Sequence, residues 1–231
     1  MRTAALVFLF VLYLVFLVPA LPLCALFGLR DPLISIAEGL VRLGRHILGI
    51  KIEVLGLDRL DPRTAYIFMS NHISFLDGPL LMSYLGRPSR VILKKSILRV
   101  PVLGTGMRYV GFVPVDRKKA QGGKKSIDLA ARLIKERGYS FLIFPEGTRS
   151  RDGNLQAFRR GGFFLALASG APLVPVTIRG TFELMPKGQL YARRGKVRIA
   201  FHSPIPVEGY TRDNMGGLMD KVREAVLSFK G

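Results

Sequence analysis

Apolar residues follow two different spacings along this 231-residue chain. Near the N-terminus they form an almost uninterrupted run from Ala4 to Val18, which continues through Pro19 and Pro22 to Leu29. A helix needs about 20 apolar residues to cross the hydrocarbon core of a bilayer, and the two prolines are expected to kink or end it. We therefore predict a membrane-embedded N-terminal helix, either a full span or a half-inserted anchor.

The flanks of this run indicate its orientation. Arg2 and a short apolar region fit a cleaved signal peptide, but no small-residue cleavage site follows, so a retained anchor is favoured. Basic residues accumulate after the run, at Arg30, Arg42, Arg45 and Lys51. By the positive-inside rule, the remainder of the chain is predicted to lie on the cytoplasmic face of the membrane.

The segment after the apolar run has helical spacing. Asp31 is suited to an N-cap position, and the proline that follows it suits the first helical position. Apolar residues then recur at helical intervals over Leu33–Ile50, and Glu38 and Arg42 form an i,i+4 pair on the opposite side. The pattern predicts an amphipathic helix that packs on the following domain, lies in the headgroup plane beside the anchor, or does both.

Beyond residue 50, strand-like and helix-like segments alternate. Short apolar segments predict seven strands, at Ile50–Val54, Tyr66–Ser70, Val91–Leu93, Gly111–Val115, Tyr139–Phe144, Leu173–Ile178 and Val197–Phe201. Helical spacing predicts helices at Ser126–Arg137, Gly161–Ser169 and Asn214–Phe229. The alternation indicates an α/β domain with a mixed, largely parallel sheet flanked by helices. Ligand sites in such sheets lie beyond the carboxyl ends of the strands.

The charge of the chain indicates its partners rather than its fold. Lys and Arg total 35 against 16 acidic residues, a net charge of +19, which suits anionic lipid headgroups, phosphorylated substrates or nucleic acid. The basic segment Arg117–Lys125 is predicted to be an exposed loop. It has no interleaved aromatic residues and the chain has no nucleic-acid-binding fingerprint, so nucleic acid is disfavoured as a partner. Cys24 is the only cysteine, which excludes an intramolecular disulfide.

Three of the predicted strands are followed directly by residues suited to acid–base or anion-binding chemistry. After the second strand, Asp77 lies close enough in sequence to hold the imidazole of His72, whose other nitrogen then takes a proton from a bound hydroxyl. Alone, this spacing is a weak signal, since a histidine also packs or caps a turn. After two other strands, Arg149 and Arg117 are candidates for binding a phosphate.

Four blocks of residues give this pattern its specificity. They are Asn71-His72-x-Ser74-x-x-Asp77, Gly111-x-x-x-x-Asp116-Arg117, Phe144-Pro145-Glu146-Gly147-Thr148-Arg149-Ser150 and Val174-Pro175-Val176. In this order they resemble the glycerolipid acyltransferase family, specifically its 1-acyl-sn-glycerol-3-phosphate acyltransferases. The resemblance covers roughly residues 50–205. It divides the chain into an anchor region with the amphipathic helix, residues 1–50, and a catalytic domain, residues 51–231.

The resemblance implies a reaction. An acyl thioester, either acyl-CoA or an acylated acyl carrier protein, would donate a fatty acyl group to the sn-2 hydroxyl of lysophosphatidic acid and so make phosphatidic acid for phospholipid biosynthesis. His72 would be the general base and Asp77 would orient it. The implied substrate-binding residues are Asn71, Ser74, Lys94, Lys95, Arg117, Glu146, Gly147, Thr148, Arg149 and Pro175. Neither a cofactor nor a metal is expected, and an anionic membrane surface is the expected partner.

Several alternatives stay open at this point. In one alternative, the enzyme acylates another lyso-lipid or glycerol 3-phosphate. In another, it is a thioesterase or remodelling relative, which would have the same His72 and Asp77. A basic membrane- or nucleic-acid-binding module without activity would belong to a different class, and the intact pair argues against it. A covalent mechanism through Ser74 is disfavoured, because Asp77 already gives His72 its partner.

Overall fold

A seven-stranded sheet forms the centre of the molecule. The computed structural model describes residues 15–16, 18–100, 103–116, 120–189 and 191–229. The strands are β1 (Ile50–Leu55), β2 (Ile67–Ser70), β3 (Ser89–Lys94), β4 (Val113–Val115), β5 (Ser140–Ile143), β6 (Leu173–Arg179) and β7 (Gly195–Phe201). Their order is β1-β7-β6-β2-β5-β3-β4, and every neighbouring pair is parallel except β6 and β7. The predicted mixed, largely parallel sheet is confirmed, with strand ends shifted by two residues at most.

Helices cover both faces of this sheet. They are α1 (Arg30–Ile47), α2 (Asp77–Met82), α3 (Leu103–Tyr109), α4 (Ala120–Arg137), α5 (Gly161–Ser169), α6 (Thr181–Leu184) and α7 (Met215–Ser228), and residues 18–26 are helical as well. Successive strand residues point to opposite faces. Ile67 and Met69 accordingly pack in the core cluster with α4, α5 and α7, whereas Phe68 packs in the cluster with α2 and one side of α1.

The sheet topology places one end of every strand at the same edge of the sheet. The carboxyl ends of β6, β2, β5, β3 and β4 all lie there, because these strands are parallel to one another. The amino ends of β7 and β1 reach the same edge, since β7 is antiparallel to β6 and parallel to β1. The loops at this edge carry the candidate site.

The amphipathic helix is present, but its predicted start is wrong. Helix α1 begins at Arg30, with Leu29 at the N-cap position and no side-chain cap. Asp31 lies inside the helix and accepts a 2.6 Å hydrogen bond from the guanidinium of Arg90. Arg90 is fully buried, 3.6 Å above the ring centre of Tyr139. Because an unpaired buried charge is strongly destabilising, Asp31 is used to neutralise Arg90 rather than to cap its helix.

The segment predicted as an exposed loop, residues 117–125, is helical from Ala120 onward, and residues 117–119 lie outside the described part of the chain. A Gly-Gly pair lowers helix propensity, which is why the spacing alone predicted a later start. The structure explains the first glycine, since a Cβ on Gly122 would lie 3.0 Å from that of Asp116. Ser126, the predicted first residue, bonds instead to the carbonyls of Gly122 and Pro114.

The predicted N-terminal membrane helix falls largely on residues 1–14 and 17, outside the described residues. Within the described residues 18–26 of this region, Cys24 packs against Leu33 of α1 and Val110. Tyr109 donates a 2.6 Å hydrogen bond to the carbonyl of Cys24. Among the helices described, none is both long and apolar enough to cross a membrane.

His202 lies near the end of the C-terminal helix. Its Nε2 is 2.9 Å from the hydroxyl of Thr177, which donates a hydrogen bond to the carbonyl of Val226. Burial lowers the pKa of His202 from its ordinary value of 6.5. The unfolded chain then binds more protons than the folded chain, so stability is lost as pH falls below about 6.5. We expect the thermal midpoint to fall between pH 7.5 and pH 5, and His202→Gln to reduce this fall. His46→Gln is the control, and an unchanged pH dependence in His202→Gln would refute the assignment.

Candidate active site

The candidate site begins where the chain leaves β2 and turns into α2. Nδ1 of His72 lies 2.9 Å from Oδ2 of Asp77, so the structure brings the two predicted catalytic residues together. Asp77 is fully buried, whereas the side chain of His72 is 21% exposed. Because Nδ1 is bound to Asp77, Nε2 is the nitrogen that can accept a proton from a substrate.

The carboxylate of Asp77 is held from several directions. Oδ2 also accepts hydrogen bonds of 2.7 Å from the backbone N–H groups of Ile73 and Ser74. Oδ1 accepts a 2.6 Å bond from the hydroxyl of Thr181, at the start of α6. A buried carboxylate requires such donors, and together they fix the atom that orients the imidazole. The sequence analysis did not identify Thr181. The only sequence feature that could have pointed to it is its place after Gly180, directly beyond β6.

The imidazole of His72 also has an aromatic neighbour. The ring of Phe144, the first residue after β5, is stacked on it with the centroids 4.0 Å apart and an interplanar angle of 19°. The imidazole is therefore restrained by a hydrogen bond at one edge and by a ring on one face. Phe144 belongs to the third block, but the sequence had assigned it no role.

Glu146 is buried, and its carboxylate is hydrogen-bonded to the protein backbone. Its Oε1 accepts a 2.6 Å hydrogen bond from the backbone N–H of His72, and its Oε2 accepts a 2.8 Å bond from that of Gln156. Burial raises the pKa of Glu146, and the hydrogen bonds from Gln156 and His72 oppose this rise. The resemblance implied substrate binding, whereas the contacts of this carboxylate are with the protein backbone.

Asn71 and Ser74 are engaged within the protein as well. The side-chain amide of Asn71 donates to the carbonyl of Ile178 at 2.9 Å and accepts from the same residue's N–H at 2.8 Å, which joins the end of β2 to β6. The hydroxyl of Ser74 donates to the carbonyl of Met185 at 2.7 Å. Its proton is bound to that carbonyl rather than to His72, which argues further against Ser74 as a nucleophile.

The loop after β5 turns outward at Gly147. This residue has φ +73°, and a Cβ would lie 2.9 Å from the side chain of Arg159, so the turn requires glycine. Thr148 is exposed and Arg149 half-buried. The guanidinium of Arg149 lies 5.8 Å from the ring centre of Phe75, which is 60% exposed. A cation thus lies beside the His72 turn.

The remaining predicted residues are less central. Lys94 and Lys95 are exposed at the end of β3, which is separated from β2 by β5. Pro175 is buried within β6, where it pairs with Met69. Arg117 lies outside the described residues. Within the described part of the chain, no group of three His, Cys, Asp or Glu side chains could hold a metal ion.

A cavity of about 140 Å³ adjoins the site. It lies between the ends of β3, β4 and β5 and the helices α4 and α5, and most of its walls are apolar. Phe144 separates it from His72, since the same ring lines the cavity and stacks on the imidazole. The site therefore combines a base, a nearby arginine and an apolar space.

The acyltransferase family model matches residues 51–179. Two chloroplastic 1-acyl-sn-glycerol-3-phosphate acyltransferases are similar to 67% of this chain: that of Brassica napus is 39% identical, and that of Arabidopsis thaliana 38%. The matched part is 45% of the first protein and 44% of the second, so the chain spans less than half the length of either. The 1-acyl-sn-glycerol-3-phosphate acyltransferase alpha of Homo sapiens is 28% identical over 90% of this chain and 74% of its own length.

The fold also has a solved counterpart. The crystal structure of the 1-acyl-sn-glycerophosphate acyltransferase PlsC from Thermotoga maritima superposes with a TM-score of 0.81 over 100% of this chain and 96% of that one, at 24% sequence identity. The shared fold agrees with the sequence match over more than half of the chain. On this evidence, the chain belongs to the acyltransferase family.

Proposed function

We propose that this chain transfers a fatty acyl group from an acyl thioester to the sn-2 hydroxyl of lysophosphatidic acid and so makes phosphatidic acid. The observation that carries the proposal is the 2.9 Å contact between His72 and the buried Asp77, with Arg149 on the adjoining loop. The similarity to 1-acyl-sn-glycerol-3-phosphate acyltransferases at 28–39% identity supports this choice of acceptor.

The chemistry needs one base and no covalent enzyme intermediate. Nε2 of His72 takes the proton of the acceptor hydroxyl while its oxygen attacks the thioester carbonyl, and Asp77 stabilises the imidazolium that forms. Collapse of the tetrahedral intermediate breaks the carbon–sulfur bond, and the leaving thiolate takes the proton from the imidazolium. Direct attack agrees with the contacts of Ser74, whose hydroxyl is bound to a backbone carbonyl.

Binding of both substrates is proposed around this centre. Arg149 binds the acceptor phosphate, as an arginine beside the base is suited to do. Lys94 and Lys95 are further cations at the same edge, and Arg117 is a further candidate from the sequence. The apolar cavity behind Phe144 is the proposed site for carbon atoms of the acyl chain. Both acyl-CoA and an acylated carrier protein present the same thioester to His72.

A membrane surface is the proposed setting, because both substrates carry acyl chains. Residues 18–29 and α1 expose large apolar side chains, among them Leu23, Leu26, Phe27, Leu29, Ile36, Leu43 and Ile47. Exposed cations lie at the carboxyl edge of the sheet, at Lys51, Lys94, Lys95, Arg193, Arg194 and Lys196. We propose N-terminal anchoring, with this basic edge facing the anionic lipids of the cytoplasmic leaflet.

The role of His72 is tested by acyl transfer from labelled acyl-CoA to lysophosphatidic acid in detergent micelles. We expect His72→Ala to lose about 10²–10⁴-fold in turnover, because a general base contributes about that much. His46→Ala is the matched control and should keep wild-type activity. An active His72→Ala variant would refute the mechanism. If the wild type makes no phosphatidic acid, acylated carrier protein and other acceptors replace these substrates in the same assay.

The role of Glu146 is tested by Glu146→Gln. Glutamine offers one oxygen acceptor and turns an NH₂ group toward the second backbone N–H, so one of the two hydrogen bonds is lost. We expect kcat to fall by about tenfold or more, in line with the loss of a hydrogen bond to a charged group, and the KM for lysophosphatidic acid to change little. Glu183→Gln, at an exposed position on α6, is the control. A rise in KM at constant kcat would instead favour direct substrate binding.

The basic edge is tested with two variants that each lose four charges. One variant changes four residues of the basic edge to Gln: Lys51, Arg193, Arg194 and Lys196. The other changes four exposed residues near the opposite edge to Gln: Arg63, Arg132, Lys135 and Arg137. We expect the first to bind phosphatidylglycerol-containing vesicles at least about tenfold more weakly, since each cation near an anionic surface contributes about 1 kcal/mol. Equal losses in both variants would mean that only net charge matters.

A further inference from the structure

Lys187 lies beside the site, although neither the sequence blocks nor the resemblance assigns it a role. It follows α6 by three residues. Its Nζ donates a 3.2 Å hydrogen bond to the carbonyl of Arg149 and lies 3.5 Å from the hydroxyl of Thr148. A lysine from the β6 side of the sheet therefore reaches the loop that follows β5.

The segment that carries Lys187 is fastened to the catalytic turn at two points. Thr181 donates to the buried carboxylate of Asp77 at 2.6 Å, and the carbonyl of Met185 accepts from Ser74 at 2.7 Å. Lys187 comes only two residues after Met185. The backbone near Lys187 is thus fixed relative to the turn that contains His72, unlike that of a lysine at the tip of a loop without such contacts.

The charges at this place are not balanced by the protein. Among the residues that the structure describes, the ion pairs within 4.0 Å are Arg42–Glu38, His72–Asp77, Arg90–Asp31 and Arg198–Glu53, so they include neither Arg149 nor Lys187. Two cations that meet at one loop from different segments repel each other, and the repulsion is relieved when an anion lies near both. An ammonium group has three donors. Two of them face the loop, which leaves one for a ligand.

The order of the strands places this pair on a defined side of the base. Lys187 follows β6, His72 follows β2, and Arg149 follows β5 but leans toward Phe75 in the His72 turn. A ligand that touches both cations would therefore lie beside the turn that carries His72. This is where the headgroup of an acceptor must be if its hydroxyl is to reach the base.

We propose that Arg149 and Lys187 together bind the phosphate monoester of the acceptor, and that Lys187 sets the preference for a phosphorylated over an unphosphorylated acceptor. This inference rests on the acceptor class given under the proposed function and adds a specificity-determining residue to it. Arg149 contributes its planar, bidentate donors, and Lys187 contributes a point charge from a separate segment of the chain.

The test compares lysophosphatidic acid with the monoacylglycerol of the same chain, which has the same reacting hydroxyl and no phosphate. Lys187→Met is assayed in detergent micelles with saturating acyl donor, beside Lys187→Arg and the control Lys135→Met, at an exposed lysine near the opposite edge of the sheet. We expect Lys187→Met to raise the KM for lysophosphatidic acid about tenfold or more, the loss of a hydrogen bond between charged groups. Its kcat, and its kcat/KM for monoacylglycerol, should stay within about twofold of the wild type. Lys187→Arg should retain most of the affinity, and Lys135→Met should match the wild type.

Two results would overturn the proposal. Equal losses with both acceptors would mean that Lys187 only supports the Thr148–Arg149 loop, and an unchanged KM for lysophosphatidic acid would mean that the phosphate binds elsewhere.

Calorimetric titration of both lipids into His72→Ala, with and without Lys187→Met, gives the same comparison without turnover. If the wild type forms no phosphatidic acid, the proposed reaction fails. A loss of binding preference for lysophosphatidic acid in the titration would still support the role of Lys187, and an unchanged preference would refute it.

Discussion

The buried carboxylate of Asp77 is the interaction around which the site is assembled. It joins the imidazole of His72, the backbone of the turn after β2 and the hydroxyl of Thr181 after β6. An unpaired buried carboxylate would be too costly to keep, so these elements stabilise one another only when all are in place. The same charge that completes the fold at this edge orients the base. Folding and catalytic geometry therefore depend on one group.

Glu146, in the loop after the neighbouring strand β5, is a second buried carboxylate that joins two segments. Its two oxygens join the backbone of His72 to that of Gln156, so the loop after β5 is linked directly to the turn after β2. Buried carboxylates of this kind weaken a fold unless an extensive apolar core compensates. Here helices cover both faces of the sheet, and Phe68, Phe141 and Phe163 are fully buried. The two-sided core supports a polar edge where several charged loops meet.

The sequence predicted the parts of the fold that depend on local spacing. All seven strands are present because short apolar runs between polar turns leave few other structures. The errors arose where a distant partner competed with a local preference. Asp31 has the side chain of an N-cap but neutralises Arg90, 59 residues away in the chain. Gly122 weakens a helix locally, yet the close approach of Asp116 requires it.

The contact between His72 and Asp77 could be predicted from the sequence because it spans five residues, and a single turn brings such residues together. The roles of other residues were decided by tertiary structure alone. Glu146 reaches His72 across 74 residues, Thr181 reaches Asp77 across 104, and Lys187 reaches Arg149 across 38. These contacts exist because β6, β2 and β5 are neighbours in the sheet. That order is set by the burial of both faces of the sheet, which no local pattern of residues encodes.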